Sequence, residues 1–169
     1  MAEEIINKVA ASGLITLDFE EMMHEKDIVL IDIASQLENG LVLREKPFRE
    51  WLSNQSWEHC RNKYVGVCCS ADAIVPKWAF MLVAVALKET AQCVFHTSAR
   101  NAFESALLKR IELLDAADYA DKRVIVKGCG NKALSEAPYL AISEKLIPVV
   151  KALMFCEPCS TVPLYKKSV

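Results

Sequence analysis

Beyond Tyr64 the chain alternates short strand-forming runs with longer stretches of helical periodicity, and this alternation limits the fold more than any other feature. Tyr64-Val65-Gly66-Val67-Cys68-Cys69 is a short apolar run suited to a buried strand. Ala73 to Lys88 is apolar almost all round, tolerates Pro76 in its first turn, and reads as a buried helix. Cys93-Val94-Phe95-His96 is strand-like. Ser98 is placed to cap a helix whose Phe103, Ala106, Leu107, Ile111 and Leu114 recur at helical spacing. Arg123 to Lys127 is the next strand, and Ser135 caps a helix running through Tyr139, Ile142 and Leu146 to Pro148. Ala152 to Phe155 is the last expected strand. Such alternation marks parallel βαβ units, whose right-handed crossovers would bring the strand ends of this half to one sheet edge. The expected fold is α/β, a single domain over residues 1–169 with a mainly parallel β-sheet and helices on both faces.

Residues 1–60 are a less regular N-terminal portion, and residues 61–169 carry the βαβ units. Ile28 to Ile33 is a convincing strand. Asn39-Gly40 either turns a hairpin into Leu41-Val42-Leu43 or ends a short helix that starts at Ala34. Pro47 to Ser53 is helical, with Phe48, Trp51 and Leu52 on one side. The stretch before residue 20 is expected to supply a helix and one more strand.

The 169 residues are 53% hydrophobic and 25% charged, which gives material for a real core. Lys+Arg 20 against Asp+Glu 22 leaves a net charge of −2, without the basic footprint that nucleic-acid binding needs. The cysteines number 7, an odd count, and the start Met1-Ala2-Glu3-Glu4-Ile5-Ile6 is acidic where a secretory leader would be basic. Free thiols in a reducing cytoplasm are therefore expected. The longest apolar run, Trp78 to Leu87, is far shorter than the about 20 residues of a membrane span, so no membrane partner is expected.

In open parallel sheets, ligands bind just beyond the carboxyl ends of the strands. The expected strand ends are Cys69-Ser70-Ala71-Asp72, His96-Thr97-Ser98, Gly128-Cys129-Gly130-Asn131 and Cys156-Glu157-Pro158-Cys159-Ser160-Thr161. Thiolate and imidazole are ligands that zinc and iron prefer. Cys69, Cys129 and Cys159, with Asp72 or His96 as the fourth, form the candidate metal set. Adjacent strand residues face opposite sides, so only one of Cys68 and Cys69 belongs to it, and Cys69 opens the loop. Free cysteine often only packs, which is the expectation for Cys60 and Cys93. Cys156-Glu157-Pro158-Cys159 reads as a redox pair or half a zinc site; Pro163 leaves no room for the helix that a redox pair needs.

Gly128-x-Gly130-x-x-Ala133 fits only the loosest dinucleotide pattern and lacks its acidic ribose partner, so no nucleotide is expected. These glycines instead allow positive φ and a close approach of backbone beside Cys129. Ser70 or Asp72 also suits the N-cap of the following helix. The charges from Arg44 to Glu50 read as a solvated helix face, with Phe48 and Trp51 as an alternative partner surface.

The runs Val9 to Thr16, Cys69 to Pro76, Val126 to Cys129 and Glu157 to Pro163, together with Arg44 to Glu50, resemble a small bacterial family of unknown function, the DUF2480 type, over nearly the whole chain. The resemblance implies thiols at Cys69, Cys129 and Cys159, and a usual glycine at the position of Cys156, which favours the strand-end thiols over the CxxC. It also implies a link to iron–sulfur cluster assembly, and so partners among those proteins. The functional expectation is a cytoplasmic protein with a thiol-rich site at the strand ends that binds zinc or iron, or handles sulfur. Cys69, Cys129 and Cys159 would be ligands or sulfur carriers, with Asp72 or His96 completing the shell or accepting a proton. The alternative is a non-catalytic adaptor whose cysteines are structural. An enzyme with a small-molecule substrate is a third reading, and no pair of residues specifies its reaction.

Overall fold

A computed structural model of the chain describes residues 14–157 and 160–167. In chain order the elements are β1 (Leu14–Leu17), α1 (Phe19–Met22), β2 (Ile28–Asp32), β3 (Leu37–Glu38), β4 (Val42–Leu43), α2 (Glu45–Asn54), β5 (Tyr64–Cys68), α3 (Lys77–Ala86), β6 (Cys93–His96), α4 (Ala102–Leu113), β7 (Arg123–Lys127), α5 (Ala137–Leu146), β8 (Ala152–Glu157) and β9 (Ser160–Lys166), joined in places by 3-10 turns. The fold is α/β, and the chain forms two compact units, one from Met1–Met22 with Arg110–Val169 and one from Met23–Lys109.

The first unit holds a sheet in the order β1-β7-β8-β9. β1, β7 and β8 run parallel, and β9 returns antiparallel along β8. Val124, Val126 and Leu153 on the strands and Ile142 and Leu146 on α5 are buried. The helix starts one residue later than a Ser135 cap implies, with Glu136 as its N-cap: the Ala137 N–H donates to Ser135 Oγ at 3.2 Å, and Pro138 stands in the first turn, where a missing N–H costs nothing. β9 was not among the expected strands, and it carries Pro163. It is an edge strand, and an edge is where the sheet tolerates a residue without an N–H.

The second unit holds a parallel sheet in the order β2-β5-β6 and the β3-β4 hairpin. β5 is central, and all of its residues are buried. Its Val65 and Val67 join Ile31, Ile33, Phe48, Leu52, Ala79, Val83 and Leu87 in one core. The hairpin reading of Asn39-Gly40 holds, with φ of 51° and 71° at the two residues. Ser98 opens the turn before α4 by accepting the Asn101 N–H at 3.3 Å, and Ala106 and Leu107 on that helix are buried as its stripe requires.

Three expectations need correction. The βαβ strands do not share one sheet: β5 and β6 form a sheet with β2, while β7 and β8 form one with β1, so their ends lie on two sheet edges and the larger sheet is mixed. Local pattern marks a strand but carries no information on its partner. The α3 helix begins only after Pro76 and is not buried all round; Met81 and Val85 are 67% and 70% exposed. Phe48 is no surface anchor, being 1% exposed and stacked on Trp51 at 5.4 Å with Trp78 edge-on at 6.1 Å.

Candidate functional site

In the first unit the parallel strands β1, β7 and β8 end at one edge. Leu17 sits beside Val126, Lys127 sits beside Cys156, and the Gly128 N–H donates to the Cys156 carbonyl at 2.8 Å. The residues that follow these ends carry the chemistry. Asp18 leaves β1, Lys127 ends β7, and Cys129 stands half-exposed on the loop beyond. They line a small cleft with Phe19, Glu20, Gly130, Lys132, Leu134 and Tyr139. Its free volume of about 10 Å³ is that of a single water site.

Asp18 and Lys127 form an ion pair of 2.5 Å, and the Asp18 side chain is only 13% exposed. Burial pushes the Asp18 carboxyl up, but the Lys127 ammonium and the N–H groups of Glu20 and Glu21 outweigh it and hold the carboxyl below its usual range. Asp18 in turn raises Lys127 above the usual lysine range, helped by the charges of Cys129 and Glu20. Tyr139 is raised by burial and then by the charges of Cys129 and Asp18. Ammonium, phenol and carboxylate therefore share the cleft with the Cys129 thiol.

The loop is positioned from both sides. The tip of the Phe155 ring on β8 reaches Gly128, where a Cβ would come within 2.1 Å of Cζ, and Tyr139 meets the same ring edge-on at 5.7 Å. Glu20 on α1 accepts the backbone N–H groups of Asn131 and of Lys132, the latter at 2.9 Å, and the Asn131 side-chain amide at 3.3 Å. Gly130 leaves room for that carboxylate, 2.6 Å from where a Cβ would stand. Close backbone approach is thus the role of both glycines. The expected positive φ is not found at either, since Gly40 is the positive-φ glycine among the described residues.

The remaining candidates lie in the second unit or outside the described residues. Cys69 is half-exposed just past β5, with Sγ 3.8 Å from the Ala71 carbonyl oxygen. Asp72 is exposed in the loop before α3, and since that helix starts at Lys77, neither Ser70 nor Asp72 caps it. His96 ends β6, its ring edge-on to Phe80 at 5.2 Å in an apolar groove of about 220 Å³ formed with Val67, Met81 and Val94. Cys159 lies outside the described residues. Among the described residues no group of three or more His, Cys, Asp or Glu is placed to hold a metal ion.

Sequence reasoning missed Asp18, Glu20, Lys127 and Tyr139 at the Cys129 cleft, and Asp32 in the second unit. Asp32 Oδ1 accepts the N–H groups of Ala34 and Ser70, each at 3.0 Å, and so ties the end of β2 to the loop after β5. Burial pushes its carboxyl up, but the hydrogen bonds from Ser70 and Ala34 outweigh it and hold the carboxyl below its usual range. The neighbouring Cys68 thiol is pushed up by burial and then by the charges of Asp32 and Cys69. An aspartate closing the apolar run Ile28 to Ile31 is a turn signal, so Asp32 was open to discovery.

Among the described residues no helix is long and apolar enough to cross a membrane. No curated protein and no solved structure matches the chain. A family model does match, described as a protein of unknown function, DUF2480, over residues 3–167, and the chain belongs to that family.

Proposed function

We propose that Cys129 is the working thiol of a site at the strand edge of the first unit, and that it handles sulfur as a nucleophile or carrier. The observation that carries this reading is the company of the thiol. Cys129 is half-exposed on a braced loop beyond a parallel strand, in a cleft lined by Asp18, Glu20, Lys127, Lys132 and Tyr139. A single accessible thiol with charged neighbours suffices for sulfur transfer. Lys127 and Tyr139 line the cleft beside the thiol, and an ammonium and a phenol there suit an anionic sulfur.

A metal reading is the second. Glu157 and Ser160, the pair that flanks Pro158 and Cys159, close the hairpin beside the β7 end that leads to Cys129. Zinc or iron held by Cys129 and Cys159 stays a proposal on this ground. Partners in iron–sulfur cluster assembly fit either reading, with the protein acting in the cytoplasm.

The test is incubation of the freshly purified chain with polysulfide, followed by peptide mapping, beside elemental analysis of the untreated protein. A persulfide on Cys129, absent from Cys129→Ser, supports sulfur handling. Near-stoichiometric zinc or iron lost in Cys129→Ser moves the assignment to the metal reading. Neither persulfide nor metal at Cys129 overturns both.

A further inference from the structure

The loop after β7 presents a set of donors that converge on one carboxylate. Asn131 and Lys132 offer successive backbone N–H groups, and Asn131 adds its side-chain amide, all to Glu20. Successive N–H groups turned to one point make an anion-binding nest. Glu20 arrives from α1, more than a hundred residues away in sequence, so the occupant of the nest is not part of the loop that forms it. Gly130 keeps the floor open, because any Cβ there would meet the carboxylate at 2.6 Å. Lys127 and Lys132 line the same cleft, and Asp18 already answers Lys127.

We propose that this nest is an oxyanion site of the Cys129 cleft, filled by Glu20 in the free protein and exchanged for the oxyanion end of the ligand. The ligand class is a small anion with tetrahedral oxygens, of the sulfate or sulfonate type, whose several oxygens can take the two backbone N–H groups and the Asn131 amide together. That this anion belongs to the substrate of Cys129 rests on the reading above; the nest itself does not.

The experiment uses the full chain, isotope-labelled, titrated with sodium sulfate against sodium chloride at matched ionic strength. Amide resonances are followed by NMR in wild type, Glu20→Ala and Glu20→Gln. Glu20→Ala removes the internal occupant, and the Asn131 and Lys132 amides are expected to shift saturably with sulfate, at least about tenfold tighter than in wild type. Glu20→Gln keeps a neutral acceptor in place, so an intermediate affinity is expected; it decides the matter if the alanine variant fails to fold. Sulfate affinity equal in wild type and the folded variants, or shifts that chloride reproduces, would overturn the proposal and leave Glu20 as a structural clamp. The same titration in Glu20→Ala with Cys129→Ser separates the two readings. Sulfate binding there with no persulfide in the wild type sinks the thiol role and keeps the nest, and the converse pair of results does the opposite.

Discussion

Replacing Gly128 with alanine should damage the first unit at the point that aims Cys129. The added Cβ would lie 2.1 Å from Phe155 Cζ and 2.6 Å from Cε2. Carbon contacts are relaxed near about 3.5–4.0 Å, so backbone and ring must separate by roughly 1.5 Å. The ring cannot yield freely, since Tyr139 packs edge-on against it at 5.7 Å. The backbones cannot part either without straining the Gly128 N–H to Cys156 carbonyl bond of 2.8 Å. Overpacking of this kind costs about 1–3 kcal/mol, and the two restraints place Gly128→Ala toward the upper end. At a urea dependence of about 2 kcal/mol per molar, the unfolding midpoint should fall by roughly 1 M. Far-UV circular dichroism is the suitable readout, because Trp51, Trp57 and Trp78 all belong to the second unit. Phe155→Leu alone should cost about 1 kcal/mol, and the double variant should recover most of the alanine penalty, giving a coupling of at least about 1 kcal/mol. A Gly128→Ala midpoint equal to wild type, or strictly additive effects, would refute the packing argument.

Other outcomes follow from the same geometry. Phe48→Ala should cost about 3–4 kcal/mol and change tryptophan emission, since its ring is buried between Trp51 and Trp78; a loss below about 1 kcal/mol would return Phe48 to the surface. Asp32→Ala frees the N–H groups of Ala34 and Ser70 and should cost about 1 kcal/mol, checked by urea unfolding and by faster hydrogen exchange at Ser70. The Asp18 carboxyl is held below its usual value, so its contribution is present above the unfolded aspartate value near about pH 4 and is lost as pH falls through the folded one. Asp18→Asn should therefore be less stable than wild type at neutral pH, with the gap closing in acid; a gap constant from neutral to strongly acid pH would contradict the ion-pair assignment.

The limits of sequence reasoning here are those of distance along the chain. Ser98 caps the turn that leads into α4, Ser135 accepts the Ala137 N–H one residue ahead of the Glu136 N-cap, and strands β2, β5, β6, β7 and β8 stand where the apolar runs put them. Which strand joins which sheet is settled by side chains far apart in sequence, and so the two edges were read as one. The thiol of Cys129 was visible as a residue at a strand end. Its partners were not, because Asp18 and Lys127 lie 109 residues apart and Glu20 reaches Asn131 across 111. Helix α3 misled for a different reason: an all-apolar run does not reveal which of its faces lacks a neighbour, and Met81 and Val85 lack one. Asp32 was the omission that local chemistry could have prevented.

The most direct test of Cys129 as the working thiol is site-resolved alkylation of the native protein by iodoacetamide, followed by mass spectrometry. Cys60 is fully buried and Cys68 nearly so, and burial pushes both thiols up. Cys129 is half-exposed in its charged cleft. Cys129 should react at least about tenfold faster than either, and it should slow when Lys127 is replaced by alanine. Labelling of Cys129 as slow as that of Cys60, or a rate indifferent to Lys127, would contradict the account.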